Sequence, residues 1–258
     1  MRIYKKIKRR IAFKLYFKCK NNLFLKKILM YNIKYKFRRR LDMKKLSQYK
    51  LMTMKTLIGA AKSIMDEEGL DSITIRKVGE RAKLNSATIY NYFENLEHLK
   101  IFACLFVFDE YSEDIKNYIS ENNDSIDNYI KIWECFIKHT VKNTEVFYTV
   151  FFNELERTVS EYIYEYHELF PLQEDNYNAS ILRMISESSV EKRNIALLEK
   201  VASDGFIKNE DIIWINDMSV YTYESLLFRM HKLELDKKEG ERKMTEYINR
   251  IIQKNRIQ

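Results

Sequence analysis

The residues of this chain that offer chemistry form two groups, and only one is organised by its spacing. The first group is what an enzyme or metal centre would use. His139, His167 and His231 are scattered, and Cys19, Cys104 and Cys135 are odd in number. Neither set keeps a metal-ligand spacing. Paired carboxylates, Ser/His/Asp sets, Glu-x-x-His and glycine-rich phosphate loops are all missing from the pattern. The expectation is therefore a protein that is not an enzyme and carries no metal or cofactor. The second group lies in residues 73–93, Ile-Thr-Ile-Arg-Lys-Val-Gly-Glu-Arg-Ala-Lys-Leu-Asn-Ser-Ala-Thr-Ile-Tyr-Asn-Tyr-Phe. Thr74, Arg76, Ser86, Ala87, Thr88, Tyr90, Asn91 and Tyr92 are small or flat groups that hydrogen-bond or present a methyl. That is the chemistry needed to meet base edges, thymine methyls and phosphates.

Such groups act only if helices hold them. Thr74 is placed to cap one short helix, with Ile75, Val78 and Ala82 on one face. Asn85 is placed to cap a second, in which Ile89 and Phe93 lie four apart and turn inward. Upstream, Thr56 to Glu68 carries the stripe Leu57, Ala60, Ala61, Ile64 and Met65, and Gly69 stops it as a C-cap glycine. Downstream, Asn95 caps a helix through Leu96, Leu99, Ile101, Phe102 and Leu105. A helix as short as the second cannot stand alone in water. Tyr90, Asn91 and Tyr92 in succession cannot all be buried by one helix, which argues against an ordinary packing unit.

Residues 54–105 resemble the DNA-binding domain of the TetR/AcrR family of bacterial transcriptional regulators. The resemblance is carried by Glu-Glu-Gly-Leu-Asp (67–71), Thr-Ile-Arg-Lys-Val (74–78) and above all Thr-Ile-Tyr-Asn-Tyr-Phe (88–93). It implies a helix-turn-helix that reads double-stranded DNA at a palindromic operator, a homodimer formed through the last two helices, and a small-molecule effector. Three positions depart from the family's habit. Gly79 stands where Ala is usual, which would loosen the helix by up to about 1 kcal/mol. Lys83 stands in the turn where Gly is usual, implying a mildly strained positive φ. Leu96 stands where a phosphate-binding Lys is usual, with Lys100 one turn later as the substitute.

Composition sets the class. Five Gly and one Pro in 258 residues are too few for a turn-rich β fold. The expected fold is all-α, with an N-terminal three-helix helix-turn-helix domain and a C-terminal helical domain for ligand binding and dimerisation. The boundaries expected are 1–42, 43–100 and 101–258. No run of apolar residues is long enough to cross a membrane, and a cytoplasmic, nucleoid-associated protein is expected. Cys104 and Cys135 are expected to be buried free thiols.

The net charge of +8 is unevenly spread. Sixteen of the 45 Lys and Arg and one of the 37 acids fall in residues 1–42, which leaves the rest at a net −7. Three readings of this basic segment stand side by side. It is a phosphate or minor-groove arm, or an amphipathic segment for anionic lipid, or it precedes a true start at Met43.

From about residue 106 the pattern is helix after helix. Helices are expected over Ser125–Val141, Glu145–Leu169, Asn178–Glu187, Val190–Ser203, Asp211–Leu233 and Lys238–Ile252. The stripe Ile212, Ile215, Val220, Leu227 and Met230 is the expected seam of a dimeric four-helix bundle. Phe106, Trp133, Phe136, Phe147, Phe151 and Phe152 line a ligand cavity or are plain core. The alternative function is a helical interaction protein that keeps a helix-turn-helix but does not bind DNA specifically.

Overall fold

Helix capping dictates where the elements begin. In a computed structural model, which describes residues 48–152, 155–171, 177–187 and 189–257, eleven α-helices follow one another with no strand among the described residues. They are α1 (Gln48–Glu68), α2 (Ile75–Ala82), α3 (Ser86–Ile89), α4 (Leu96–Asp114), α5 (Ser125–Lys142) and α6 (Thr144–Phe152). Then come α7 (Val159–Leu169), α8 (Ala179–Ile185), α9 (Val190–Ser203), α10 (Ile212–His231) and α11 (Lys237–Lys254). The basic segment 1–42 and Cys19 lie outside the described residues. Asn95, Asp124, Asn178 and Ser189 each cap a helix by accepting a backbone N–H in the first turn, as capping chemistry requires.

Two boundaries differ from expectation. The first helix already covers Gln48, ahead of the expected Thr56. The aromatic run expected as one helix from Glu145 to Leu169 is two, because Thr158 starts a new one with a full capping box. Its hydroxyl accepts from Glu161 N–H, and the Glu161 carboxylate accepts from Thr158 N–H. This reciprocal pair satisfies two donors that a continuous helix would not leave open.

Residues 54–258 form one unit, and α4 runs unbroken through residue 100. Its N-terminal half packs into the helix-turn-helix and its C-terminal half into the larger helical body. Leu57, Ile64, Ile73, Val78, Ile89, Phe93, Leu99 and Phe102 are buried in the first layer. In the body, α10 packs against α9 and α11, and α5 against α11. A buried chain of bonds ties three of these helices. Trp133 Nε1 donates to Asn194 Oδ1 at 3.0 Å, and Asn194 Nδ2 donates to Asn216 Oδ1 at 3.1 Å. Gly240 lets α11 approach α10 closely, since a β-carbon there would lie 2.2 Å from the Met230 sulfur.

The expected dimer seam is corrected by this packing. Ile212, Ile215, Val220, Leu227 and Met230 are all buried within the chain itself, so they cannot face a second copy. The exposed apolar stripe of α10 is instead Trp214, Met218, Tyr221 and Phe228, which the three-to-four spacing places on one side.

Candidate nucleic-acid interface

The helix-turn-helix is built from its caps inward. Thr74 Oγ1 accepts from Lys77 N–H at 3.2 Å and opens α2. Val78 faces the core with no exposed surface. The helix ends at Lys83, which sits in the left-handed region at φ 56°, ψ 39° and donates its N–H to the carbonyls of Gly79 and Glu80. The expected positive φ is therefore present. Asn85 Oδ1 then accepts from Ala87 N–H at 2.9 Å and opens α3.

The regular part of α3 is four residues long. Beyond Ile89 the backbone closes in tighter i to i+3 bonds, Asn91 N–H to Thr88 O at 3.1 Å and Tyr92 N–H to Ile89 O at 2.9 Å. Helical curvature thus continues to Phe93, and Ile89 and Phe93 are buried as expected.

Gly79 also meets a packing need. A β-carbon there would meet Leu84 O at 2.9 Å, Ser86 Oγ at 2.9 Å and Ser86 N at 3.3 Å. The turn after α2 folds back so tightly that only glycine fits without a shift. The close approach acts beside the loss of helix propensity that glycine carries.

Thr74, Arg76, Ala87, Tyr90 and Asn91 are exposed, while Ser86, Thr88 and Tyr92 are half-buried beside them. Eight of the nine expected contact residues therefore fall on one module, formed by the start of α2 and by α3 with its following turns. Lys100 does not join them. It lines a cleft with Asp71, Glu97, Glu145, Tyr148 and His231, so it faces the chain's own acids. Leu96 opens α4 as a half-buried residue.

The charges of α2 divide by role. Arg81 donates to both carboxylate oxygens of Glu67, at 2.6 and 2.8 Å, and to Ser63 Oγ at 2.6 Å. This fork braces α2 on α1, and it holds the Glu67 carboxyl below the usual range. Lys77 reaches Glu68 at 2.6 Å and Arg76 reaches Glu80 at 2.9 Å. The module is anchored to the body by further bonds. Glu145 Oε2 accepts from Leu70 N–H at 3.2 Å, and Asn95 Nδ2 donates to Glu156 Oε2 at 2.6 Å. Glu97 accepts from Glu156 N–H at 3.0 Å and from the Tyr162 hydroxyl at 3.2 Å.

Folding also gathers residues that look unrelated in sequence. Asp114, Cys135 and His139 bring their donor atoms within 4.8 Å of one another, with His139 Nε2 2.9 Å from Asp114 Oδ2. The signal was Cys135 and His139 at i, i+4 on one face of α5. Burial pushes the Cys135 thiol up to about 12. Of the aromatics proposed for a cavity, Phe106 is 38% exposed and points away. Trp133 and Phe136 line one, and Phe147 packs against Phe108, Phe136 and Phe151.

A short capped helix pair with a polar outer face, carried on a larger all-helical body, defines the class of helix-turn-helix proteins. Residues 57–99 match the family of bacterial regulatory proteins called tetR. Over 43 residues the chain is 42% identical to an HTH-type transcriptional regulator of Bacillus subtilis (strain 168), YdeS, a match covering 17% of this chain and 22% of that protein. The shared segment is thus about a fifth of that relative's length. The body follows known folds more distantly. RolR, solved with resorcinol, is 14% identical with a TM-score of 0.53, covering 83% of this chain and 92% of that one. Thermus thermophilus FadR, a TetR-family transcriptional repressor solved with lauroyl-CoA, is 10% identical with a TM-score of 0.51, covering 77% and 93%.

Proposed function

We propose that this protein is a ligand-responsive transcriptional repressor that binds palindromic operator DNA as a homodimer. The observation that carries the reading is the capped α2–α3 module, which presents Thr74, Arg76, Ala87, Tyr90 and Asn91 together on an exposed face. Residues 43–100 read DNA and residues 101–258 bind the effector and the second copy. Because α4 runs through residue 100, that boundary divides roles rather than folding units. The exposed stripe Trp214, Met218, Tyr221 and Phe228 supports pairing through α10 and α11. A dimer sets two recognition helices about one DNA turn apart, as a palindrome requires. The ligands printed for RolR and FadR support a small-molecule effector held in the helical body.

The arrangement supplies a route for control. The same α4 carries Leu99 and Phe102 against the helix-turn-helix and Phe108 and Tyr111 in the body's aromatic core. A ligand that favours another position of α4 lowers operator affinity, and operator DNA must weaken that ligand equally. The test is selection of binding sites from random duplexes by the purified protein, followed by affinity measurement on the selected operator. A palindrome is expected. Thr88→Ala with Tyr90→Ala should weaken binding by about tenfold or more, since a good base contact is worth roughly 1–3 kcal/mol. Unchanged affinity would overturn the assignment of α3. Failure to select any duplex would favour a helical interaction protein instead.

A further inference from the structure

Where α4, α5, α8 and α9 meet, the body buries a cation with no carboxylate in direct contact among the described residues. Arg193 opens from α9 and is 6% exposed. Its guanidinium lies on the Phe108 ring, 4.4 Å from the centroid. Nε donates to Glu187 O at 2.8 Å and Nη2 donates to Ile185 O at 2.9 Å. Nη1 is buried and has no hydrogen-bond partner. Burial draws the group down to about 10, which leaves it charged at neutral pH. Asp109 and Glu187 attract it through space, and the Asp109 carboxyl bonds with Tyr166 and is itself pushed up to about 6 by burial. Among the described residues, no carboxylate lies within ion-pairing distance of Arg193.

The surroundings of that cation form a cavity. Tyr111, Trp133, Phe136 and Met184 make its apolar walls, with Arg193 and Asn194 as the polar groups. Asn194 is already spent on Trp133 and Asn216. The donor that remains is Nη1 of Arg193. A buried charged donor without a hydrogen-bond partner is costly, and an anion meets it most strongly. We propose that this cavity is the effector site, and that it takes an organic anion whose carboxylate binds Arg193 and whose apolar body lies against Tyr111, Trp133, Phe136 and Met184. The proposal rests on the ligand-responsive reading above and adds the effector's chemical class.

A plainer role for Arg193 is to satisfy the carbonyls at the end of α8, as basic residues do at helix C-termini. That role accounts for Nε and Nη2. It does not account for Nη1, because a capping arginine normally turns its spare donors to water. The two roles are also linked. The space open to the centre of a water molecule is about 20 Å³, enough for a single water, so a larger anion must part α8 from α5. A carboxylate that takes Nη1 and the second N–H of Nη2 in the bidentate manner leaves the Ile185 bond in place, and the parting of α8 from α5 is felt by α4 through Phe108 and Tyr111.

The experiment uses the full chain with Trp214→Phe, which leaves Trp133 as the sole tryptophan of the two. Its fluorescence is titrated with benzoate, phenylacetate, octanoate and decanoate, and with the corresponding neutral amides. At least one carboxylate should shift the Trp133 signal and raise the melting temperature. Its amide should bind about tenfold or more weakly, the loss expected when a charged hydrogen bond worth roughly 1.5–3 kcal/mol is removed. Arg193→Gln should abolish the preference for the acid over the amide. If that variant does not fold, the acid-against-amide comparison on the Arg193 chain decides alone. Acids and amides binding alike, or no acid binding at millimolar concentration, would overturn the proposal. Operator release is measured separately on the selected duplex. Acid binding that depends on Arg193 but leaves the operator bound would uphold the anion site and refute effector control.

Discussion

Replacing Gly79 by alanine sets two opposed effects against each other, and the geometry decides between them. Alanine is favoured over glycine inside a helix by up to about 1 kcal/mol. Here its methyl would stand 2.9 Å from the Leu84 carbonyl oxygen and 2.9 Å from Ser86 Oγ. The serine side chain can rotate away. The carbonyl cannot, because it belongs to the turn that joins α2 to α3. Forcing a methyl into a filled site against a backbone carbonyl costs roughly 2–3 kcal/mol, the upper part of the overpacking range, so a net loss of about 1–2 kcal/mol is expected after the helix gain is subtracted. For a chain of this size that lowers the melting temperature by roughly 2–8 °C. The strain falls on the turn that aims α3, so operator affinity should fall as well. Thermal and urea unfolding of Gly79→Ala, alone and with Ser86→Ala, measure the effect. The double variant should recover only the part due to Ser86 Oγ. A single variant as stable as the parent, or more so, would refute the close-approach argument.

Other perturbations test other parts of the structure. Lys83→Gly should stabilise the chain by about 1 kcal/mol, because a side chain at positive φ carries roughly that strain; a lower urea midpoint would contradict it. Tyr221→Glu, on the exposed stripe of α10, should convert a dimer to monomers at micromolar concentration with helix content unchanged, read by sedimentation and circular dichroism. A mass equal to that of the parent would remove this stripe from the interface. The Asp109 carboxyl is pushed up to about 6 by burial, above the ordinary value near 4. Its protonated form is the one the fold favours, so its contribution is present in acid and is lost as pH rises through about 6. Asp109→Asn should therefore match the parent in acid and exceed it at neutral pH, by up to about 3 kcal/mol. A stability difference that does not grow with pH would sink that account.

The helix-turn-helix was legible because its information is local. Thr74, Asn85 and Asn95 each act within three residues of themselves, and each caps as expected. Ile89 and Phe93 share a face at helical spacing whatever they pack against. The break at Thr158 was equally local, as Thr158-x-x-Glu161, and was hidden by the aromatic run on either side of it. What could not be read is which face of α10 turns inward. Its apolar residues surround the helix, so the stripe Ile212, Ile215, Val220, Leu227 and Met230 and the stripe Trp214, Met218, Tyr221 and Phe228 look alike until α9 and α11 choose one. The same limit hid Arg193, whose burial depends on Phe108 from α4 and on carbonyls at the end of α8. The role of Gly79 was hidden by a chain reversal a few residues away.

The division of charge on α2 constrains how this surface can bind. Residues 43–258 carry a net −7, so the module does not sit on a broadly basic body. Arg81 is spent on bracing α2 to α1 through Glu67 and Ser63, and withdrawing it would free the helix it supports. Arg76 differs, since both partners of its pair with Glu80 are well exposed. Such pairs are worth about 0–1 kcal/mol, less than the charge-assisted bond of roughly 1.5–3 kcal/mol that a phosphate offers. On the proposed reading, Arg76 exchanges Glu80 for DNA at little loss, while Arg81 stays in place. With few cations on the module itself, discrimination on that reading falls on Thr88, Tyr90 and Asn91, whose hydrogen bonds and flat surfaces act only at contact. A module of this kind gains most of its free energy after docking in register, so correct and incorrect duplexes separate in their dissociation rates more than in their association rates.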